Sequence, residues 1–362
     1  MLICWPSTGF TSRCGTGSHK ALPNLARMTG TALISCHCRQ PSQPSNDMSG
    51  TFAFPTARAA GLPCLAGEDI FVIQDGNRVR GHLWPADGRP RGRVVICPGF
   101  TEFAEKHSRG ADILHQAGFD LLIIDWPGQG RSGHFGQHSL TVHADDFSGH
   151  LQAAEALIDA AGWADHPLSL IGHSMGGHLA LRLAHRQVCR VAALVLLSPM
   201  ISLPVKPLWL GWVIARLAIL FGQARRPAFG QTPRQLDQVR LHKPDNVLTR
   251  DADRYQENFL WFDDQPSLRR SGASWGWVCA GYTSCLKTTM SKRWMAAIDT
   301  PVLALTAADE TVVHKASTTE MLRALPRCDH HEYAGARHEL CLETEDVRSD
   351  LWSRIIRCLP SA

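Results

Sequence analysis

Short apolar runs alternate with helical segments from about residue 69 onward, and this alternation limits the fold more than any other feature. Most of the runs are only four to seven residues long and continuous, which is typical of parallel strands buried on both faces. Predicted strands cover 69–74, 78–84, 93–98, 120–125, 168–172, 191–197, 301–306 and 330–333, and predicted helices cover 104–117, 145–161, 175–186 and 345–358. We therefore predict an α/β fold, with a mostly parallel central sheet and helices on both faces.

The interval 200–296 breaks this alternation and is too long for a simple connection. It contains six of the eleven tryptophans of the chain. We predict a helical, Trp-rich cap inserted between the core segments 68–199 and 297–362. Within it, 208–221 is apolar nearly all round and interrupted by Arg216. Because this segment lacks the basic polar face of an interfacial helix, burial or a lid function is favoured over membrane contact.

The segment 1–67 is rich in Ser, Thr, Gly, Pro and Cys and shows no sustained period. We predict a poorly ordered N-terminal extension there, with Met28 or Met48 as alternative starts. A transit peptide and a lipoprotein box at 33–36 are further alternatives. This segment carries five basic residues and one acidic residue, and the rest of the chain carries 32 of each. A body with balanced charge is a poor phosphate-backbone binder, so no nucleic-acid partner is expected.

The twelve cysteines show no regular paired spacing. Cys97 lies inside a predicted buried strand, where a thiol acts as a small apolar group. The Cys36-His37-Cys38 segment has no second close pair at zinc-finger spacing, so no metal site is predicted. The chain also has no run of 18 apolar residues. These patterns favour a cytoplasmic location, with peripheral membrane contact through the cap as an alternative.

The strongest local motif is a G-x-S-x-G sequence between a predicted strand and a predicted helix. It reads Gly172-His173-Ser174-Met175-Gly176-Gly177. A serine at the tip of such a sharp turn is held in a strained backbone conformation, and side chains two residues away on either side would clash. Gly172 and Gly176 remove those clashes, and Gly177 lets the helix approach the sheet. We therefore predict that Ser174 is a catalytic nucleophile.

Serine is a weak nucleophile at neutral pH and needs a base that takes its proton. His338 is the candidate base, because it lies in the loop between the last predicted strand and the last helix. The acid that orients the histidine should follow the preceding strand. Asp309 fits this position, Glu310 is the neighbouring competitor, and Asp299 lies at the wrong end of the strand. We predict Asp309, which gives the order Ser, Asp, His along the chain.

An oxyanion intermediate needs hydrogen-bond donors. The backbone N–H of Met175, at the helix N-terminus, is the first candidate. The second should come from the loop after the strand 93–98, which reads Pro98-Gly99-Phe100-Thr101-Glu102. We assign the N–H of Phe100 to this role.

Four motifs carry a family resemblance. The segment 125–133, Asp-Trp-Pro-Gly-Gln-Gly-Arg-Ser-Gly, is similar to the D-x-x-G-x-G-x-S segment of α/β hydrolases. Together with the segments 172–177, 309–313 and 335–339, this segment resembles the monoacylglycerol lipase and lysophospholipase group of that superfamily. This group is also called serine aminopeptidase S33. The resemblance covers roughly residues 69–358. Pro98, where monoacylglycerol lipases usually have His, resembles the bacterial lysophospholipase L2-like branch, as do 246–251 and 275–277.

The resemblance implies an α/β-hydrolase fold and a serine hydrolase that cleaves carboxylic esters. Lysophospholipids or monoacylglycerol-type lipids are the implied substrates, and neither a metal nor an organic cofactor is needed. A proline-type aminopeptidase stays open, because it would need acidic cap residues for the substrate amine. Asp251, Asp253, Glu257, Asp263 and Asp264 are available for that purpose. Enzymes of this fold with an aspartate nucleophile are excluded by Ser174, and a non-catalytic binding protein would be expected to lack a triad member.

Overall fold

The computed structural model describes residues 61–187, 189–205 and 207–361. Its centre is a single eight-stranded sheet in the order β1-β2-β4-β3-β5-β6-β7-β8. The strands are β1 Glu68–Gln74, β2 Asn77–Trp84, β3 Gly92–Cys97, β4 Phe119–Ile124, β5 Leu168–His173, β6 Val191–Leu197, β7 Val302–Ala307 and β8 Cys328–Tyr333. Most of the predicted N-terminal extension, residues 1–60, lies outside the described residues. The remainder leads into β1, and its Leu62 is already buried.

The sheet combines an antiparallel hairpin with a parallel body. β1 pairs with β2, and β2 with β4, in antiparallel register, while all the other neighbours are parallel. The apolar runs of β3 to β7 are buried on both faces, which is what a central parallel strand requires. The predicted fold class is therefore confirmed.

Helices cover both faces of the sheet. Their bounds are α1 Ser108–Gln116, α2 Ser148–Ala160, α3 Met175–Arg186, α4 Leu208–Leu220, α5 Leu236–Arg240, α6 Ala252–Asp264, α7 Trp275–Lys287, α8 Lys292–Ala296, α9 Lys315–Leu322 and α10 Glu345–Cys358. The apolar faces of α2 and α3 contribute to one core, and those of α1 and α10 contribute to a second core. The sheet separates these two cores, as in doubly covered α/β proteins.

The chain between β6 and β7 forms the helices α4 to α8. This segment contacts the sheet domain through Trp277, which is fully buried. The Trp277 ring lies 4.3 Å from that of Phe100 and 5.8 Å from that of Phe147, measured between centroids. Trp277 is therefore part of the contact between the inserted helices and the sheet domain, rather than of an isolated core within the insertion.

Helix α4 differs from the expected buried helix. Only Leu208, Gly211 and Ala215 of this helix are buried. Large apolar side chains on its outer face and just beyond it are exposed, including Trp209 at 60%, Leu220 at 78% and Phe221 at 74%. The apolar composition predicted burial on all sides, but α4 packs against α7 with one side only, and its other side is exposed to solvent. Within the described residues, no helix is long and apolar enough to cross a bilayer.

Candidate active site

Ser174 lies at a strained turn between β5 and α3. Its φ of 52° and ψ of −117° lie outside the regions that non-glycine residues normally adopt. A Cβ at Gly172 would lie 2.6 Å from the Gly176 carbonyl oxygen, and a Cβ at Gly176 would lie 1.8 Å from the Cys97 carbonyl oxygen. The turn therefore requires glycine at both positions. The Ser174 N–H donates to the Leu197 carbonyl at 2.9 Å, which fixes the turn to the neighbouring strand.

Ser174 and His338 line the same cavity. The space inside it that the centre of a water molecule can reach is about 110 Å³. The side chains of both residues are largely buried, with only small fractions reaching the cavity. Much of the remaining wall is apolar and comes from both the sheet domain and the inserted helices; it includes Phe100, Leu203, Leu248, Phe259, Phe262, Trp277 and Val313. The structure therefore brings the predicted nucleophile and the predicted base to one apolar cavity.

The carboxylate that contacts His338 is Glu310, not the predicted Asp309. Nδ1 of His338 lies 2.7 Å from Oε2 of Glu310. The other Glu310 oxygen accepts hydrogen bonds from the N–H groups of Val312 and Val313 at 2.7 and 3.1 Å. Asp309 is exposed, and its backbone N–H donates to the Ala336 carbonyl at 2.9 Å. Because consecutive residues after β7 point in different directions, the turn places Asp309 outward and Glu310 inward.

The Glu310 carboxyl is held in its charged form. Burial acts to raise its pKa, but the positive form of His338 and three hydrogen bonds outweigh burial and lower the pKa below its usual value. A buried carboxylate that accepts a hydrogen bond from Nδ1–H fixes the tautomer in which Nε2 can act as a base. The arrangement can therefore orient His338 toward the cavity.

The predicted oxyanion loop, residues 98–102, is held by hydrogen bonds to the side chain of Gln129. The Thr101 N–H donates to Oε1 of Gln129 at 3.0 Å, and Nε2 of Gln129 donates to the Gly99 and Glu102 carbonyls at 3.0 and 3.1 Å. The Phe100 side chain lines the Ser174 cavity, and Met175 is the first residue of α3. The assignment of the Phe100 and Met175 N–H groups as oxyanion donors stays a prediction.

Glu102 connects the oxyanion loop with the nucleophile turn, a role that the sequence analysis missed. Its buried carboxylate accepts from the Gly99 N–H, from Nζ of Lys106 at 2.6 Å, from Nε2 of His107 at 3.0 Å and from Nδ1 of His173 at 2.9 Å. Nε2 of His173 in turn lies 3.3 Å from the His338 carbonyl oxygen. One carboxylate therefore braces three segments around the cavity.

The charges of this network reinforce one another. Burial acts to raise the pKa of Glu102, but His173 and Lys106 outweigh it and hold the pKa well below the usual value. Burial acts to lower the pKa of His173, but the Glu102 carboxylate outweighs it and raises the pKa. A protonated His173 can donate from both ring nitrogens, to Glu102 and to the His338 carbonyl. The spacing of Glu102 and Lys106, four residues apart, was the only sequence signal for this network.

The acidic cap residues considered for binding an amine lie elsewhere. Glu257 pairs with Arg109 and Arg254, Asp263 pairs with Arg240, and Asp251 caps α6 and contacts Arg348. None of the five acidic residues, Asp251, Asp253, Glu257, Asp263 and Asp264, lines the Ser174 cavity. In the part of the chain that the structure describes, no group of three His, Cys, Asp or Glu side chains could hold a metal ion.

The parallel sheet with an antiparallel hairpin at one edge, and the serine between β5 and α3, define an α/β hydrolase. The family model described as serine aminopeptidase, S33, matches residues 88–345, and the chain belongs to this family. The predicted family is thereby confirmed.

Two curated relatives each match more than two thirds of this chain. Lysophospholipase L2 of Escherichia coli strain K12 is 29% identical over 274 residues, which is 71% of this chain and 76% of that protein. Phospholipase YtpA of Bacillus subtilis strain 168 is 25% identical, with 72% of this chain and 93% of that protein covered.

The solved structures that are similar support the fold. A soluble variant of the monoglyceride lipase from Saccharomyces cerevisiae, in complex with a substrate analog, gives a TM-score of 0.62 at 22% identity and covers 82% of this chain and 96% of that chain. A thermostable carboxyl esterase from Bacillus coagulans gives a TM-score of 0.63 at 15% identity, with 80% and 96% covered.

Proposed function

We propose that the chain is a serine esterase that cleaves the carboxylic ester of a lysophospholipid or a monoacylglycerol-type lipid. The observation that carries this proposal is the shared cavity of Ser174 and His338, with His338 oriented by Glu310. The names of the relatives and of the similar structure, which are lysophospholipase, phospholipase and monoglyceride lipase, agree with it.

In the proposed reaction, Oγ of Ser174 attacks the ester carbonyl while Nε2 of His338 takes its proton. Glu310 stabilises the imidazolium that forms. The N–H groups of Phe100 and Met175 bind the oxyanion, and one such donor is worth about 2.7–4 kcal/mol. The alcohol leaves with the proton from His338. A water molecule activated by the same histidine then hydrolyses the acyl-enzyme and releases the acid.

The apolar cavity wall supports an acyl substrate. Each methylene that enters such a pocket contributes about 0.8 kcal/mol. A proline-type aminopeptidase would need a carboxylate that binds the free amine. The two carboxylates on the cavity wall, Glu102 and Glu339, both contact Lys106, at 2.6 and 2.8 Å. This pairing favours an ester substrate over an aminopeptidase substrate.

Turnover of five substrates side by side tests this proposal. We expect hydrolysis of p-nitrophenyl esters, with longer chains preferred, and of a monoacylglycerol or a lysophospholipid. Hydrolysis of a proline arylamide should be at least about 100-fold slower, because an amine finds no unpaired carboxylate. Release of nitrophenol, fatty acid and arylamine measures the rates. Turnover of the arylamide alone would contradict the esterase proposal.

We also propose that the exposed side of α4 makes peripheral contact with a lipid surface. Seven large apolar side chains on this helix or close to it in sequence are exposed: Val205, Trp209, Leu210, Ile214, Leu217, Leu220 and Phe221. Leu210, Ile214, Leu217 and Phe221 recur at three- and four-residue spacing and so lie along one side of the helix. An exposed apolar face of this kind favours an interaction site. A lipid surface suits an enzyme whose proposed substrate resides in a bilayer, and α4 belongs to the inserted helices that also line the cavity region.

The double substitution Trp209→Ser and Leu220→Ser should lower binding to phosphatidylcholine vesicles by about 10-fold or more. It removes two large apolar side chains whose transfer from water into the lipid would favour binding. Hydrolysis of a short, water-dissolved ester should stay unchanged. Vesicle co-sedimentation measures the binding. The matched control is Ile73→Ser, which replaces an equally exposed apolar residue on β1. Equal vesicle binding by the double variant and by wild type would refute the proposed contact.

A further inference from the structure

We infer that Arg269, beside the buried Arg270, forms an anion site on the cavity wall that recognises the phosphate of a lipid headgroup. The inference rests on the proposed esterase function and selects lysophospholipids over monoacylglycerols as its substrates. Both arginines line the cavity of Ser174, and both also line a second cleft on their other side. They therefore form a basic wall between the catalytic cavity and a second opening.

Arg270 is a buried cation that makes no ion pair with a carboxylate among the described residues. It is 9% exposed. Its guanidinium donates only to backbone carbonyls, namely those of Gly128 at 3.0 Å, Gly130 at 3.2 Å, Gly133, Ser267 at 2.7 Å and Arg269 at 2.7 Å. These bonds use all five of its donor hydrogens. Arg270 therefore holds the inserted segment to the 128–133 loop, and Asp125 acts on its charge without a hydrogen bond.

Arg269 is the arginine that can contact a ligand. It is partly buried, and its Nη2 donates to the Arg234 carbonyl. Among the described residues, no carboxylate lies within ion-pair distance of its guanidinium, in contrast to Lys106 on the same wall, which contacts Glu102 and Glu339. Burial lowers the pKa of Arg269 and Asp237 only partly offsets this effect, so the charged form gains from a bound anion.

Arg131 and His134 also line the second cleft, whose described lining residues include no carboxylate. Arg131 pairs with Asp69 and Glu105 at 3.1 and 3.2 Å, so Arg269 is the arginine of this cleft whose charge is left for a ligand. A guanidinium matches the geometry of a phosphate, with two parallel hydrogen bonds. A glycerol headgroup is neutral and would form no ion pair with the Arg269 guanidinium. A phosphate is therefore the headgroup chemistry that the basic wall fits.

The substitution Arg269→Gln tests the inference. We expect kcat/KM for a lysophosphatidylcholine to fall about 10- to 100-fold, mostly through KM, because a charged hydrogen bond to the phosphate is lost. The value for a monoacylglycerol with the same acyl chain should change less than about twofold. The matched control is Arg234→Gln, since Arg234 is an exposed neighbour that does not line the cavity. That control should behave as wild type on both lipids.

A competition assay separates a headgroup site from a general phosphate site. Glycerophosphocholine should slow fluorophosphonate labelling of wild type and have little effect on Arg269→Gln. Inorganic phosphate acting as strongly as glycerophosphocholine would indicate a free-phosphate site and overturn the headgroup assignment.

Equal loss on both lipids, or no loss on either, would also overturn the inference. Failure of wild type to hydrolyse both lipids would refute the proposed function instead. Protection by glycerophosphocholine would still report on the anion site in that case.

Discussion

Ser174→Ala should lower kcat/KM for a p-nitrophenyl ester by about 10⁴- to 10⁶-fold, since removal of a catalytic serine leaves only binding and oxyanion stabilisation. The fold should persist, because alanine keeps the backbone N–H that donates to Leu197. Labelling by a fluorophosphonate probe should disappear in parallel with activity. The strained φ of 52° at this residue is what presents the hydroxyl to the cavity.

The control for this substitution is Ser271→Ala, which removes another hydroxyl from the wall of the same cavity. This variant should keep both labelling and turnover. If Ser174→Ala still reacts with the probe at the wild-type rate, another residue is the nucleophile and the proposed mechanism is wrong.

Glu310→Gln should lower kcat for the same ester by about 10³- to 10⁴-fold, the loss expected when a neutral amide replaces the carboxylate behind a catalytic histidine. The amide presents an N–H or an uncharged oxygen to Nδ1, so the imidazolium loses its stabilising charge. The neighbouring substitution Asp309→Asn should change kcat less than about threefold, because an exposed carboxylate contributes little at a distance.

The two variants form a matched pair, since each removes one negative charge at adjacent positions. Steady-state kinetics across a pH range, with thermal unfolding as a check of the fold, measures the difference. A large loss in Asp309→Asn together with a small loss in Glu310→Gln would show that Asp309 orients the histidine during turnover.

The choice between these two carboxylates shows where sequence reasoning reaches its limit. The strand before them and the loop that carries His338 were predicted at nearly their observed positions, because buried strands have a continuous apolar pattern. Neither the pattern nor the spacing determines which of two consecutive residues in a turn points inward. That depends on the backbone after Ala307, where the N–H groups of Val312 and Val313 contact Glu310.

Long-range contacts account for the other differences. The bond between Glu102 and His173 joins residues 71 positions apart, and no local pattern encodes it. Helix α4 was expected to be buried or to act as a lid because of its composition, but composition does not indicate how many neighbours surround a helix. Helix α9 was not predicted, since its sequence mixes threonine and serine with few apolar residues and has no clear helical period.

The buried Glu102 carboxylate has a consequence for changing this enzyme's substrate preference. The Glu102 side chain holds the oxyanion loop and the nucleophile turn together and, through His173, the His338 loop. A substitution in any of these three segments would therefore displace the other two. Laboratory evolution toward new esters should therefore accumulate its tolerated changes in the insertion and leave the rigid floor of the cavity untouched.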